Sequence, residues 1–471
     1  MPTTPDQPAA TPITRRAFLN AGSALAAGAA VGVAAPAYVN AVAPRHGRAR
    51  RAPARNVILM VSDGMSIGAL TLADLALRER FGRPCRWMRW MRSPGAVRGL
   101  VETAAYNTPV TDSAAAASAW AIGERVNNLA VSITPDGREP TPLLLRAAQR
   151  GRATGVVTTT RVTHATPAAF FANVPNRRSE NDIAAQLVER RIDLAFGGGA
   201  RHFPESLLPA DRVHARDVRT LQALADRPPD EPLFGLFADS HMSYELDRPA
   251  SEPSLAQMTE GAIRILSRRS EGFVLMVEGG RVDHAAHAND ACSVIADQIA
   301  FDDALGAALD FALPRDDTLV IATTDHGNAN PGLIGYTRAP AMFRRTFEAQ
   351  KSFEWIASEM DALPEPERTG EAMAALVRRA NNIELTDEET AALHRWLRGE
   401  RIDPMRTRNN EYGPLGSVLA NHHGVAFNST QHTSDYVELC AQGPGSERIA
   451  PLTHLTDLHD VMTHALSLAP A

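Results

Sequence analysis

The fold is decided by one stretch of sequence, NVILMVSDG at residues 56–64. Its apolar residues follow one another without polar alternation and end at an Asp-Gly pair that favours a turn. A short run of this kind is typical of a strand buried on both faces of a parallel sheet. Similar runs recur at 155–159, 194–196, 273–277 and 318–323. The pattern therefore predicts a central parallel sheet.

Helical patterns lie between these apolar runs. They cover residues 66–80, 112–122, 142–150, 180–189, 254–268 and 291–312. Alternating strands and helices predict an α/β fold, with a doubly wound, mostly parallel sheet flanked by helices. Ligands of such sheets bind beyond the carboxyl ends of the strands. Functional residues are therefore expected directly after the apolar runs.

The segment from about 331 to 415 differs from the rest of the chain. It contains helical patterns at 353–363, 370–380 and 386–397, and no strand pattern. Thr386 and Glu389 have the spacing of a capping box, which would begin the last of these helices. We predict a helical insertion at about 331–415 within a single large domain that spans 56–471.

The N-terminus carries the sequence TRRAFL at residues 14–19, followed by a weakly apolar run at 21–37. A twin arginine ahead of such a run is typical of a signal for exporting folded proteins, and AVA at 41–43 offers a cleavage site. We predict a twin-arginine export signal at 1–43 and a flexible arginine-rich linker at 44–55. The protein is then periplasmic or secreted. The alternative is a cytoplasmic protein with a chance arginine pair.

Composition excludes some classes of protein. The chain has 471 residues, 22% of them charged, and a formal net charge of -6. This balance does not indicate a nucleic-acid-binding protein. No run other than the N-terminal one approaches the length of a membrane-spanning helix, so no membrane span is expected.

Carboxylates and a histidine follow three of the predicted strands. Asp63 follows the first apolar run, Glu278 follows the run at 273–277, and Asp325 and His326 follow the last. Because parallel strands end at one edge of the sheet, these side chains are expected to meet in one crevice. A single carboxylate after a strand is common, so the indication lies in their combination.

Two further patterns add potential ligands and a nucleophile. Asp283 and His287 have i, i+4 spacing, which on a helix puts both on one face and suits a divalent cation. Ser113 stands where an alanine-rich helix begins, and a helix N-terminus stabilises an alkoxide. The structural alternatives are a solvated helix face for Asp283 and His287, and a simple N-cap for Ser113.

Seven short motifs, in order along the chain, resemble those of the alkaline phosphatase family. They are Asp63-Gly64-Met65, Thr111-Asp112-Ser113-Ala114-Ala115, His164-Ala165-Thr166-Pro167, Glu278-Gly279, Asp283-His284-x-x-His287, Thr324-Asp325-His326 and Gln431-His432-Thr433. Each motif is modest alone, but their shared order makes the resemblance specific. It extends from about residue 56 to the C-terminus and is interrupted by the helical insertion. The resemblance implies a metal-dependent phosphomonoesterase with an alkaline phosphatase-like catalytic domain.

The resemblance also implies three metal ions, whose ligand sets are called clusters 1, 2 and 3 below. The implied ligands are Asp283, His287 and His432 for a first zinc, Asp63, Asp325 and His326 for a second zinc, and Asp63, Thr166 and Glu278 for a third ion, usually magnesium. Asp63 would therefore be shared by clusters 2 and 3.

Further roles follow from the same resemblance. Ser113 would be the nucleophile beside the second zinc. Arg177 would grip the phosphate, with the adjacent Arg178 as an alternative. His164 and His284 would lie near the metals or the phosphate, where some members have Asp and Lys. Imidazoles at these two positions favour zinc more than a carboxylate would, so the third ion is magnesium or zinc.

The implied function is hydrolysis of small-molecule phosphate monoesters through a covalent phosphoserine, with an alkaline pH optimum. The alternatives are a phosphodiesterase of the same superfamily and a non-catalytic protein that binds metal or phosphate. A sulfatase is disfavoured because Ser113 lacks the Pro and Arg of a C/S-x-P-x-R sequence. Homodimers are common in the family, so a homodimer is one option for this chain.

Other residues of the chain have similar chemistry. His422 and His423 are further potential ligands, but the Gln-His-Thr context favours His432. The glycines at 197–199 resemble a phosphate-binding loop, yet no Gly-Lys-Ser/Thr sequence follows them. We therefore predict a tight turn at these glycines.

Overall fold

The computed structural model of the chain describes residues 53–209 and 212–468. The predicted export signal at 1–43, and the predicted linker as far as residue 52, lie outside the described residues. The end of that linker is packed rather than flexible. Ala54 is buried, and the amides of Ala54 and Arg55 donate to the carbonyls of Ala465 at 2.7 Å and Asp317 at 2.8 Å. The packed domain thus begins at about residue 54.

The described residues form one ten-stranded sheet and two small sheets of two strands each. In chain order the strands are β1 (Asn56–Val61), β2 (Val97–Glu102), β3 (Ala153–Arg161), β4 (Leu194–Gly198), β5 (Val213–Ala215), β6 (Leu233–Leu236), β7 (Phe273–Glu278), β8 (Thr318–Thr323), β9 (Gly327–Asn328), β10 (Gly332–Leu333), β11 (Val425–Ala426), β12 (His432–Thr433), β13 (Val437–Gln442) and β14 (Leu452–His454). The large sheet has the order β14-β2-β13-β8-β1-β7-β3-β4-β6-β5.

The large sheet is parallel except for one strand. β1 lies near its middle and pairs in parallel with both β7 and β8. β13 is the exception and runs antiparallel to β2 and β8. The prediction of a doubly wound, mostly parallel α/β fold is confirmed. The carboxyl ends of β7, β1 and β8 consequently lie side by side.

The helices pack against this sheet or belong to the insertion. They are α1 (Ile67–Phe81), α2 (Arg86–Met91), α3 (Ser113–Ile122), α4 (Leu143–Ala148), α5 (Ala165–Ala169), α6 (Glu180–Glu189), α7 (Val218–Asp226), α8 (Leu255–Leu266), α9 (Arg281–His287), α10 (Ala291–Ala312), α11 (Ala339–Arg344), α12 (Phe353–Ala362), α13 (Gly370–Asn381), α14 (Asp387–Leu397), α15 (Gly413–His423) and α16 (Leu455–Ala465). Within the described ranges, no helix combines the length and apolarity needed to cross a membrane.

Two apolar layers enclose the sheet, one on each face. Alternate residues of β1 enter opposite layers, with Val57, Leu59 and Val61 in one and Ile58 and Met60 in the other. Every residue of β1 is buried. This explains why the strand shows no polar alternation, since burying an aliphatic side chain contributes about 1.5–3 kcal/mol on either face.

The insertion has a third apolar core of its own. Buried side chains of α12, α13, α14 and α15 form it, among them Ile356, Val377 and Leu393. Helices α12, α13 and α14 begin and end within one residue of their predicted bounds. Two details differ from the prediction. The short strand β10 pairs with β11, and α15 continues past residue 415 to 423.

The start of α14 shows the predicted capping box. Thr386 Oγ1 accepts a hydrogen bond from the Glu389 amide at 3.2 Å, and the Glu389 carboxylate accepts one from the Thr386 amide at 2.9 Å. These bonds satisfy two amides that the first helical turn leaves without partners. A local sequence signal therefore marks this boundary.

Candidate active site

Cluster 2 forms where β1 and β8 end. Asp63, Asp325 and His326 each offer a ligand atom within 4.8 Å of the others. His326 Nε2 lies 3.1 Å from Asp325 Oδ2 and 3.7 Å from Asp63 Oδ1. The amides of Gly64 and His326 donate to Asp325 Oδ1, each at 3.0 Å, which fixes the carboxylate and leaves Oδ2 for the cluster.

Cluster 1 lies beside cluster 2, because the rings of His326 and His432 stack at 3.6 Å between centroids. His287 Nε2 is 3.4 Å from Asp283 Oδ2, and His432 Nε2 is 3.6 Å from Asp283 Oδ1. Asp283 and His287 share one face of α9, and the pairing of β12 with β9 supplies His432. Asp283 is buried, so the alternative of a solvated helix face does not hold.

Hydrogen bonds fix the histidine tautomers of cluster 1. His287 Nδ1 donates to the Thr430 carbonyl at 2.7 Å, and His432 Nδ1 donates to the Thr111 carbonyl at 2.9 Å. In neutral rings both Nε2 atoms then carry lone pairs, yet they lie 3.1 Å apart. A positive charge between the two nitrogens would relieve the repulsion between their lone pairs. Although burial opposes it, Asp283 raises the pKa of His287 to about 9.

Cluster 3 forms between Asp63, Glu278 and the start of α5. Thr166 Oγ1 donates to Asp63 Oδ2 at 3.5 Å. His164 was expected only near the metals or the phosphate, but it too offers a ligand atom within 4.8 Å of Asp63 and Glu278. Glu278 Oε2 accepts a hydrogen bond from Thr160 at 3.1 Å, which fixes this carboxylate at the end of β7.

Several buried acceptors of these clusters lack donors. No described residue donates to Asp63 Oδ1, Glu278 Oε1 or Asp325 Oδ2. Burial, and then the charges of Asp325 and Asp283, raise the pKa of Asp63 well above its usual value. Buried carboxylate oxygens without partners are strongly unfavourable, and bound cations relieve this. The oxygen and imidazole donors fit zinc in clusters 1 and 2, and cluster 3, which adds the Thr166 hydroxyl to two carboxylates, also fits magnesium.

Ser113 is the first residue of α3 and its side chain reaches cluster 2. Ser113 Oγ lies 3.3 Å from His326 Nε2, and the residue is 2% exposed. The alternative that Ser113 is merely the N-cap is wrong, because Asp112 occupies that position and accepts from the Ala115 amide at 3.0 Å. The Ser113 hydroxyl is thus left for chemistry.

Arg177 lies in the same crevice. Its NH1 donates to Asp112 Oδ2 at 3.2 Å, and its NH2 donates to His164 Nε2 at 3.0 Å. These bonds tie the guanidinium to the residue before Ser113 and to cluster 3. Arg178 is exposed, and its amide donates to Asn176 Oδ1 at 3.0 Å. The geometry therefore favours Arg177 over Arg178 as the phosphate ligand.

His284 lies at the edges of the clusters together with Asn328 and with His241, and of these only His241 was not singled out by the sequence. The Asn328 amide group donates to Asp283 Oδ1 at 2.7 Å, which orients this carboxylate. The His241 ring lies 4.4 Å from that of His284 and 5.4 Å from that of His164. Asn328 lies two residues after His326, and this position in the sequence indicates that it lies near the site. His241 follows a different strand, and no sequence pattern indicates that it lies there.

The competing residues lie elsewhere. His422 Nε2 contacts Glu389 at 3.0 Å, and His423 Nδ1 accepts from the Val425 amide at 3.1 Å. Gly198 ends β4, and Gly199 follows in a left-handed turn with φ of 97°. Neither these two histidines nor these two glycines belong to the clusters.

Known proteins are similar to this chain in sequence. A model of the alkaline phosphatase family matches residues 54–468. Alkaline phosphatase 4 of Bacillus subtilis is 30% identical over 432 residues, which cover 88% of this chain and 88% of that protein. Streptomycin-6-phosphate phosphatase of Streptomyces griseus is 35% identical over 366 residues, which cover 65% of this chain and 80% of that protein.

A solved structure has a similar fold. The crystal structure of Thermus thermophilus alkaline phosphatase superimposes with a TM-score of 0.81 at 29% identity, covering 88% of this chain and 92% of that one. The likeness thus covers most of both chains. The chain belongs to the alkaline phosphatase family and is a phosphatase.

Proposed function

We propose that this phosphatase hydrolyses phosphate monoesters through a covalent phosphoserine at Ser113, with zinc in clusters 1 and 2 and magnesium or zinc in cluster 3. The observation that carries the proposal is the position of Ser113 Oγ, 3.3 Å from His326 Nε2 at the edge of cluster 2. A hydroxyl at that position faces the ligand set of one ion and is buried away from competing water.

The chain's residues would hold three ions. Asp283, His287 and His432 form the first ligand set, and Asp325 and His326 join Asp63 in the second. Asp63 also belongs to the third set, with Glu278, Thr166 and His164. Bound ions would neutralise charge on the phosphoryl group and lower the pKa of the Ser113 hydroxyl and of the attacking water.

The protein's own groups then carry out two substitutions at phosphorus. In the first, Ser113 Oγ bonds to phosphorus as the bond to the leaving oxygen breaks; the Ser113 proton passes to solvent, and the leaving oxygen takes up a proton from solvent to become the alcohol. In the second, water bonds to phosphorus, the bond to Ser113 Oγ breaks, and the hydroxyl regains a proton as inorganic phosphate leaves. The N-terminus of α3 points its amides at the developing charge.

Arg177 would position the phosphoryl group during both substitutions. Its planar guanidinium can bind two phosphoryl oxygens at once, which fixes the group in line with Ser113. Asp112 holds the guanidinium through one nitrogen, at 3.2 Å. Asp112 therefore has two tasks, since it also caps the helix that carries Ser113.

The test is a Ser113→Ala variant assayed with p-nitrophenyl phosphate. We expect the rate to fall by on the order of 10³-fold or more, because the covalent route is lost. Ser118→Ala is the matched control, since Ser118 is a buried serine of the same helix whose hydroxyl donates to the Ala114 carbonyl. Mass spectrometry of quenched wild-type protein should show phosphate on Ser113. Normal turnover by the Ser113→Ala protein would contradict the covalent mechanism.

Metal dependence and substrate class have their own tests. EDTA should abolish turnover, and zinc plus magnesium should restore it. Faster turnover of bis-p-nitrophenyl phosphate than of p-nitrophenyl phosphate would instead support the phosphodiesterase alternative.

We also propose export through the twin-arginine route, on the basis of TRRAFL at residues 14–19. The packed domain begins only at about residue 54, which leaves room for a signal ahead of it. Replacing both Arg15 and Arg16 with lysine should retain the phosphatase inside the cell.

A further inference from the structure

A buried arginine joins the helical insertion to the edge of cluster 3. Arg281 begins α9, and its side chain is only 3% exposed. One guanidinium nitrogen, NH1, lies 2.9 Å from His284 Nδ1, and the other, NH2, lies 2.5 Å from Glu354 Oε2. The guanidinium carbon lies 3.7 Å from the centre of the Tyr244 ring. These contacts hold the group on three sides.

The contact with Arg281 decides the tautomer of His284. A guanidinium only donates hydrogen bonds, so His284 Nδ1 must accept. A ring nitrogen that accepts a hydrogen bond carries no proton, so the single ring proton must lie on the other nitrogen. The ring proton then lies on Nε2. Among the described residues, none forms a hydrogen bond with that nitrogen, which leaves the N–H for a ligand.

His284 lies beside cluster 3, where an N–H donor could contact a bound phosphoryl group. Its ring centre lies 5.7 Å from that of His164, which belongs to cluster 3 and bonds to Arg177. A neutral ring with its proton on Nε2 cannot bind a metal through that nitrogen. It can instead donate to a phosphoryl oxygen, or to a water beside the third ion.

Glu354 is supplied by the first turn of α12, in the insertion. The start of this helix is anchored to the body of the protein, because the Phe353 amide donates to Asp290 Oδ2 at 2.8 Å and the Ser352 amide donates to Asp247 Oδ1 at 3.2 Å. Glu354 is the one carboxylate of the described residues that forms an ion pair with Arg281. The insertion thereby balances a charge that lies beneath the site.

We propose that Glu354 and Arg281 are positioning residues that hold His284 as an Nε2–H donor to the phosphoryl group. The insertion thus completes the active site rather than only covering it. This inference rests on the proposed function, since it assumes that phosphate binds beside clusters 2 and 3. Glu354 acts through Arg281, and Arg281 acts through His284, so neither needs to touch the substrate.

The kinetic test compares Glu354→Ala with Glu354→Gln. We expect kcat for p-nitrophenyl phosphate to fall by about 10-fold in Glu354→Ala, the usual effect of removing a group that orients a site residue. Glu354→Gln should retain most of the rate, because its amide oxygen still accepts from Arg281. The matched control is Glu359→Ala, another carboxylate of α12, whose surface ion pair with Arg379 is 3.3 Å long. Its kinetics should be unchanged.

A spectroscopic measurement separates this role from a merely structural one. NMR of isotope-labelled histidine, with His284 assigned from a His284→Asn variant, should show His284 protonated on Nε2 in the wild type and a tautomer mixture in Glu354→Ala. Both proteins should still form phosphoserine at Ser113. A wild-type His284 protonated on Nδ1, or equal kcat in Glu354→Ala and Glu359→Ala, would overturn the inference. Absence of phosphoserine in the wild type would instead overturn the proposed function.

Discussion

The three clusters and the helical insertion are neighbours in the fold but draw on the chain in different ways. The clusters gather single residues from strand ends and loops that lie far apart in sequence, such as Asp63, Glu278 and His432. The insertion packs consecutive helices from residues 353–397 around its own apolar core. The clusters contain buried charges, and among them the Asp63 carboxylate destabilises the metal-free fold. The insertion consists of apolar contacts that stabilise it directly.

Because of this difference, a substitution in the clusters should change mainly activity, and a substitution in the insertion should change mainly the stability of the fold. In the clusters, removing the Asp63 charge should abolish turnover while relieving repulsion in the metal-free protein. In the insertion, removing an apolar group should weaken the fold and leave chemistry largely intact. The four predictions below test that division.

Asp63→Asn should have the largest effect on activity. Asp63 is shared by clusters 2 and 3, so its loss should lower kcat/KM by on the order of 10³-fold and release bound metal. The variant should nevertheless be at least as stable as the wild type when both are metal-free. The folded-state pKa of Asp63 is raised, chiefly by burial, so the ionised carboxylate destabilises the metal-free fold at neutral pH.

Activity assays, metal analysis and denaturant titration after EDTA treatment would check this pair of effects. Asp361→Asn is a suitable control, because Asp361 belongs to α12 and its side chain is 79% exposed. A metal-free Asp63→Asn protein markedly weaker than the metal-free wild type would break the comparison.

Arg177→Ala should have the next largest effect. Charged hydrogen bonds from Arg177 to phosphate contribute about 1.5–3 kcal/mol. Their loss should lower kcat/KM by roughly 10- to 100-fold. The inhibition constant of inorganic phosphate should rise in parallel. Arg178→Ala removes the exposed neighbour and should change neither value. Equal losses in the two variants would reopen the choice between these arginines.

Leu393→Ala should weaken the insertion and spare the chemistry. Leu393 is fully buried in the insertion core, and truncating such a side chain costs about 2–5 kcal/mol. Hydrogen exchange should speed up in α13 and α14, while kcat changes little. A large loss of kcat in a folded Leu393→Ala protein would show that the two regions are coupled more widely than through Glu354.

Thr386→Ala should have the smallest effect. It removes one half of the capping box at the start of α14, which costs about 1 kcal/mol. Amide exchange should increase in the first turn of α14 alone, and activity should not change. Thr390→Ala, within the same helix, is the control that keeps the cap. Unchanged exchange at the start of α14 would mean that tertiary packing, rather than the cap, fixes this boundary.

Local patterns made much of the fold predictable. The uninterrupted apolar run of β1 reflects burial on both faces, and the capping box of Thr386 and Glu389 lies within one turn of helix. β2 and β13 were missed for a physical reason. In β2 the exposure alternates but the residue types do not, because Gly99 lies at an inward position and Leu100 at an exposed one. β13 is positioned by its partners β2 and β8 rather than by its own pattern.

The candidate site was predictable where a residue follows a strand or forms a short spaced pattern. Asp63, Asp325 and the Asp283–His287 pair are of this kind. The cap at Asp112, the approach of His241 and the ion pair of Arg281 with Glu354 depend on contacts between distant segments. No local pattern encodes such contacts, so only the folded structure reveals them.

Anomalous diffraction at the zinc absorption edge, from crystals of the metal-loaded protein, tests the central claim most directly. We predict strong peaks between the ligand atoms of Asp283, His287 and His432 and between those of Asp63, Asp325 and His326, with the second peak next to Ser113 Oγ. Well-ordered crystals of active protein with no anomalous peak in either cluster would contradict the account.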